Sequence, residues 1–208
     1  MSAEKPRERP ILFNDQMVRA ILEGRKTVTR RVVKDTGFYA IDAAIHGNDV
    51  ALREREALST RCPYGEPGDR LWVRETWGLQ VRSYSGGAGE FIVYRATNPD
   101  AIYCRSSEGR EYPVKWKPSI HMRRHSSRIL LEITAVRVER LQDISEDQAR
   151  AEGITDGGCS SCGNHEPCGC ECPAPSAVDS FVHLWRSTGG NWESNPWVWV
   201  VEFKRVAP

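Results

Sequence analysis

The sequence predicts a mixed α+β fold: a small mixed β-barrel with flanking helices across its ends. Three observations predict it. About six short strand-like segments are spread along the chain, and most are non-local. Three segments carry helical periodicity. Regular alternation of strand and helix is missing, which excludes a doubly wound parallel sheet.

The elements follow in order. Residues 1–9 read as a disordered polar lead, and 10–208 as a single domain. A strand spans 10–14, and Asn14 or Asp15 caps the helix after it. In that helix Met17, Val18, Ile21 and Leu22 recur at helical spacing, and Gly24 ends it. Residues 27–33 are rich in β-branched side chains and read as a strand. Residues 34–66 form a long excursion, closed by a turn at 64–69. A strand follows over 70–77, where Leu71, Val73 and Glu75 share one face. Residues 83–89 are glycine-rich and flexible, 91–96 form a strand, and 97–127 are polar and loop-like. Residues 128–141 make a long strand whose apolar phase shifts after Ala135, the mark of a bulge. Ser145 and Gln148 form a capping box, and Gly153 stops the helix near Glu152. Val178, Phe181, Val182 and Trp185 give a further helix, and 197–203 the closing strand. Trp197 and Trp199 share a face of that strand; with Trp185 and Trp192 they read as core packing, or as an aromatic cage for a modified base.

Composition narrows function. The chain of 208 residues has 29 basic and 28 acidic side chains, a net charge of +1. That excludes a strongly basic nucleic-acid coat but allows a local basic patch. No apolar run nears the ~18 residues of a membrane span, and the charged start is unlike a signal peptide. The expectation is a cytoplasmic protein with no membrane partner.

Five of the seven cysteines fall within 159–172. The pattern is Cys159, Cys162, His165, Cys168, Cys170 and Cys172, in a cysteine-rich loop over 155–176. Two thiolates on a Cys-x-x-Cys turn reach one tetrahedral ion, and a second pair completes a zinc site. Cys159, Cys162 and Cys168, with Cys170 or Cys172, are the expected ligands, and His165 is a substitute. Four thiolates leave no open position, so the zinc is structural. The same spacing also fits an irregular loop or adventitious disulfides.

Three segments are candidates for chemistry. Arg25, Lys26, Thr27, Thr29, Arg30 and Arg31 crowd cations and hydroxyls at a helix-to-strand junction. A lysine there can bind a phosphate or carbonyl, or activate a hydroxyl. A solvated charge run explains the same composition. In the second segment Glu75 is a carboxylate near the core that needs a cation, with Lys26 or an arginine available. It reads either as a base-recognising acid or as a structural ion pair. Trp77 reads as a stacking platform at a cleft mouth or as core. The third segment, 116–128, holds His121 and Arg123 and reads as a phosphate-contacting strip or a mobile basic loop.

The run Gly24-Arg25-Lys26-Thr27-Val28-Thr29-Arg30, the Gly68-Asp69 pair before a strand and the closing Val201-Glu202-Phe203 resemble the motifs of ASCH domains. The stretches R-P-I-L-F-N, C-P-Y-G-E-P-G-D-R-L-W-V-R-E-T-W and N-P-W-V-W-V-V-E-F resemble the larger ASCH proteins of phages and prophages. The resemblance implies a PUA-like barrel, with insertions at 34–66, 78–127 and 155–176, that binds RNA or a modified nucleoside, with DNA also open. A small bacterial branch of the family hydrolyses N(4)-acetylcytidine. By motif, its catalytic group falls on Lys26, Thr29 and Glu152, with Thr29 as nucleophile and Lys26 as base. An amidohydrolase is therefore the second expectation, and a ribonuclease a weaker third.

Overall fold

A computed structural model describes residues 5–33, 62–84, 87–155 and 176–207. The cysteine-rich loop and most of the 34–66 excursion lie outside the described residues.

The strands are β1 (Glu8–Leu12), β2 (Val28–Val32), β3 (Arg70–Arg74), β4 (Trp77–Tyr84), β5 (Gly87–Tyr94), β6 (Ile102–Arg105), β7 (Glu111–Pro113), β8 (Leu130–Arg140) and β9 (Trp197–Val206). The helices are α1 (Asp15–Leu22), α2 (Glu146–Ala151) and α3 (Ala177–Ser187). The main sheet runs β1-β3-β8-β9-β2, and β4–β5 and β6–β7 are separate hairpins. β1 pairs β3 in parallel, and the other pairs in the main sheet are antiparallel.

Local signals place the helices. Asn14 accepts from the Met17 amide at the start of α1. Ser145 and Gln148 satisfy each other's backbone N–H groups at α2, and Ser176 and Asp179 repeat the device at α3. Each cap satisfies amides that a helix start leaves without partners.

Two apolar layers cover the sheet. On one face Ile11, Phe13, Val18, Ile21, Leu71, Ile133, Trp199 and Phe203 pack with α1. On the other Val28, Val198 and Val200 meet Leu141, Ala149, Phe181, Leu184 and Trp185 from the α2–α3 side. β9 therefore buries residues on both faces, which accounts for its nearly unbroken apolar run.

The bulge expected in the long strand is present: the β8–β9 register shifts between Ile133 and Ala135. Other expectations are corrected. Among the described residues the barrel does not close, because β1 and β2 are the two edges of an open sheet. In place of a backbone ladder, the Arg31 side chain reaches from β2 to the Leu12 carbonyl of β1 at 2.8 Å. Residues 8–9 belong to β1 and not to a disordered lead. Asp69 holds this end, accepting from the Arg7 amide at 2.9 Å and from Arg9 at 3.0 Å.

The strand expected over 70–77 ends at Arg74, and β4 is a separate element. Within the segment read as flexible, residues 83–84 and 87–89 are paired in the β4–β5 hairpin. The stretch 97–127 contains the β6–β7 hairpin and two 3-10 turns. β5 and β7 are largely exposed, while β4 and β6 are mostly half-buried along their length, so none shows the alternation of one buried face.

Candidate functional site

Lys26 is the largest side chain that is fully buried. It sits one turn past α1, where its amide and that of Arg25 both donate to the Ala20 carbonyl. The Thr27 amide donates to Ala151, so the start of β2 is stitched to the end of α2. This brings Lys26 opposite Glu152, in an isolated antiparallel bridge.

Lys26 Nζ donates to Glu152 Oε2 at 2.5 Å, to the Glu152 carbonyl at 2.9 Å and to the Val28 carbonyl at 2.8 Å. An ammonium has three N–H bonds, and all three are engaged. Arg30 stands four residues on, on the same strand face. Its guanidinium meets Glu152 Oε1 at 3.2 Å, Gln148 Oε1 at 2.9 Å and Glu139 Oε2 at 3.6 Å. Glu152 is thus a buried carboxylate held by two cations, one on each oxygen. Burial pulls the Lys26 pKa below its ordinary value, and the Glu152 charge opposes that shift.

Glu152 borders a cleft of about 930 Å³. The cleft lies at the open edge of the sheet, between β1 and β2. Edge strand β2 supplies residues of both faces to it: Thr29 and Arg31 from one, Arg30 from the other. Phe13, Tyr64, Phe181, Trp185 and Trp199 add aromatic surface. The Arg31 guanidinium lies 5.3 Å from the Phe13 ring centroid, and among the described residues it has no carboxylate partner. Arg95, a third cation of the wall, is paired with Asp15 at 2.5 Å.

The expected site residues divide accordingly. Lys26 meets Glu152, while Thr29, Arg30, Arg31 and Glu152 line the cleft. Lys26 Nζ spends its donors on Glu152 and the Val28 carbonyl, and no hydrogen bond joins it to Thr29 among the described contacts. Arg25 is a structural brace that donates to the Gly153 carbonyl at 2.8 Å and pairs with Glu23. Thr27 serves the backbone, linking α2 to β9.

Glu75 is buried as expected, but its cation is Arg128. The pair is bidentate at 2.9 Å and 2.9 Å, and the guanidinium stacks 4.0 Å from the Tyr94 ring. This cluster anchors the β4–β5 hairpin and lies outside the described cleft wall. Trp77 is also outside it, with Lys117 Nζ 4.7 Å from its ring. Of the 116–128 stretch, Ser119 reaches the described wall, whereas His121 and Arg123 do not. The proposed metal ligands Cys159, Cys162, Cys168, Cys170 and Cys172 lie outside the described residues.

Phe13 and Gly190 carried no functional signal in the sequence, and only the order of the strands reveals that they meet Trp185 at one cleft.

Glu75 gives a pH prediction. Burial raises its pKa above the ordinary 4.5, although Arg128 opposes the shift. Between those two values the native state holds a proton that the unfolded chain has lost, so this group's contribution falls as pH rises. Glu75→Gln removes the effect. In urea unfolding it should gain stability relative to the parent as pH rises above the ordinary 4.5. A parallel pH dependence in the two proteins would overturn this.

Compared with family models, curated proteins and solved structures, the chain matches none. No helix among the described residues is long and apolar enough to cross a membrane.

Proposed function

We propose that this is a PUA-like protein of the ASCH type, with a structural zinc in its cysteine loop, whose cleft binds a nucleoside unit of RNA or a modified nucleoside. One observation carries the reading: a buried carboxylate, fixed by two cations, borders a cleft with aromatic walls and one cation without a carboxylate partner. A nucleotide needs each part. Aromatic rings stack on a base. A carboxylate accepts from an exocyclic amine. A guanidinium without a carboxylate partner among the described residues meets a phosphate. Lys26 and Arg30 fix Glu152 before a ligand arrives, so little ordering cost remains.

Arg31 supplies the test. Arg31→Ala should weaken binding of a single-stranded RNA oligomer, read by fluorescence anisotropy over a salt series. Loss of one phosphate contact should flatten the log–log salt slope by about 0.7. An unchanged affinity and slope would remove Arg31, and with it this placement of the backbone.

A second reading has its own support. Lys26 contacts Glu152, and Thr29 shares the cleft wall with that carboxylate, as in an amidohydrolase that converts N(4)-acetylcytidine and water to cytidine and acetate. With all three Lys26 donors engaged, the ammonium holds Glu152 in place, and Thr29 or a water bound at Glu152 is the nucleophile. Deacetylation lost in Thr29→Ala would support this reading. No turnover above buffer by the parent protein would end it.

A further inference from the structure

The α3 side of the cleft has two donors that the carboxylate reading leaves unused. Trp185 is 8% exposed and lines the cleft, yet its indole Nε1 has no acceptor among the described residues. Arg30 is 4% exposed on the same wall. Its terminal nitrogens are engaged, but its Nε has no acceptor. Phe181 connects the two. The Arg30 guanidinium lies 5.9 Å from the Phe181 ring centroid, and the Phe181 and Trp185 rings are 6.0 Å apart and tilted. A buried N–H without an acceptor forfeits its bonds to water and gains nothing in exchange. Two on one cavity wall mark the place where a ligand supplies the acceptor.

Gly190 sharpens the assignment. Its backbone is not in the left-handed region, so conformation does not demand glycine there. Space does: a Cβ at that position would stand 2.3 Å from Trp185 Nε1 and 2.6 Å from Cδ1. Gly190 is itself part of the cleft wall. Without a Cβ the backbone packs directly against the indole at Nε1.

We propose that Trp185 Nε1, with Arg30 Nε as second donor, is a recognition subsite for the oxo group of a planar heterocycle lying against Phe181. The inference rests on the reading of the cleft as a nucleoside site and narrows it to bases that carry a ring carbonyl. Glu152 and this donor pair then read opposite polarities of one ring. The carboxylate takes an N–H, and the donors meet a C=O.

The test follows the indole N–H resonances of the full chain by 15N NMR. Gly190→Ala identifies the Trp185 signal. The probes are 2-pyridone, a small ring with one oxo acceptor; benzene, a ring with none; and uridine. The Trp185 signal should move with 2-pyridone and uridine and stay still with benzene. Trp185→Phe should bind 2-pyridone about tenfold more weakly, as for a lost buried hydrogen bond. Should Trp185→Phe not fold, the resonance in the parent protein decides alone. A Trp185 signal indifferent to 2-pyridone overturns the subsite. Uridine that moves Thr29 and Arg31 signals but not Trp185 overturns it while the cleft reading stands. A response to 2-pyridone with none to uridine keeps the subsite and ends the nucleoside reading.

Discussion

Lys26→Ala is expected to destabilise the protein by about 3–5 kcal/mol, the cost of leaving a buried charge without its partner. The side chain is 0% exposed and that of Glu152 3%. Without the ammonium, one Glu152 oxygen loses its cation and two backbone carbonyls lose their donor. Arg30 still faces the other oxygen, so part of the compensation survives. Urea unfolding measures the loss. A paired change, Lys26→Met with Glu152→Gln, should cost much less than the two single changes added together, because neither charge is then left alone. A loss below about 1 kcal/mol for Lys26→Ala would show that water reaches the pair, as at exposed salt bridges. Glu152 would then not be the fixed acceptor on which the nucleoside reading depends.

Gly153→Ala is the second large effect, expected at about 2–4 kcal/mol from backbone strain and overpacking together. Gly153 lies at φ 93°, a conformation that disfavours any side chain. An added Cβ would stand 2.8 Å from Ala20 Cβ and 3.1 Å from Lys26 Cβ. Both contacts are backbone-proximal, so neither yields by a rotamer change. The strain falls on the joint that seats Lys26 against Glu152. Gly87→Ala, where a Cβ meets nothing within 4 Å, is the control. Equal unfolding midpoints for the two variants would refute the argument. Ligand binding should weaken in Gly153→Ala even where the protein remains folded, since the carboxylate is displaced with its helix end.

What the sequence disclosed was local. The capping box at Ser145, the helix stop at Gly153 and the bulge in β8 rest on residues within a few positions of one another. Alternation placed Glu75 in the interior, because Leu71, Val73 and Glu75 follow one period. It did not identify the partner, since Arg128 stands 53 residues away and either arginine or lysine suited. The open sheet was hidden for the same reason. Whether β1 and β2 join depends on strand order, and no short window carries strand order. Residues 91–96 read as a strand and fall largely in β5, but the pairing of β4 with β5 and the β6–β7 hairpin escaped, because a two-stranded ribbon needs no continuous apolar face. Trp185 read as core, and it is buried. That its N–H lacks an acceptor is a property of its surroundings, which residue type does not encode.

The placement of β2 has a consequence in time. Its ladder partner is β9, with Thr29 opposite Val201, and its lysine answers to a carboxylate 126 residues on. Such pairings are made late, because a long loop must be closed before any contact repays it. On the ribosome, α1 and β2 emerge early and wait. Until β9 has been made and has threaded between β8 and β2, Arg30 and Arg31 are loose cations on a tether, and no cleft exists. Capture of a ligand is therefore confined to chains whose last strand has docked, and early emergence of the basic segment confers no early activity.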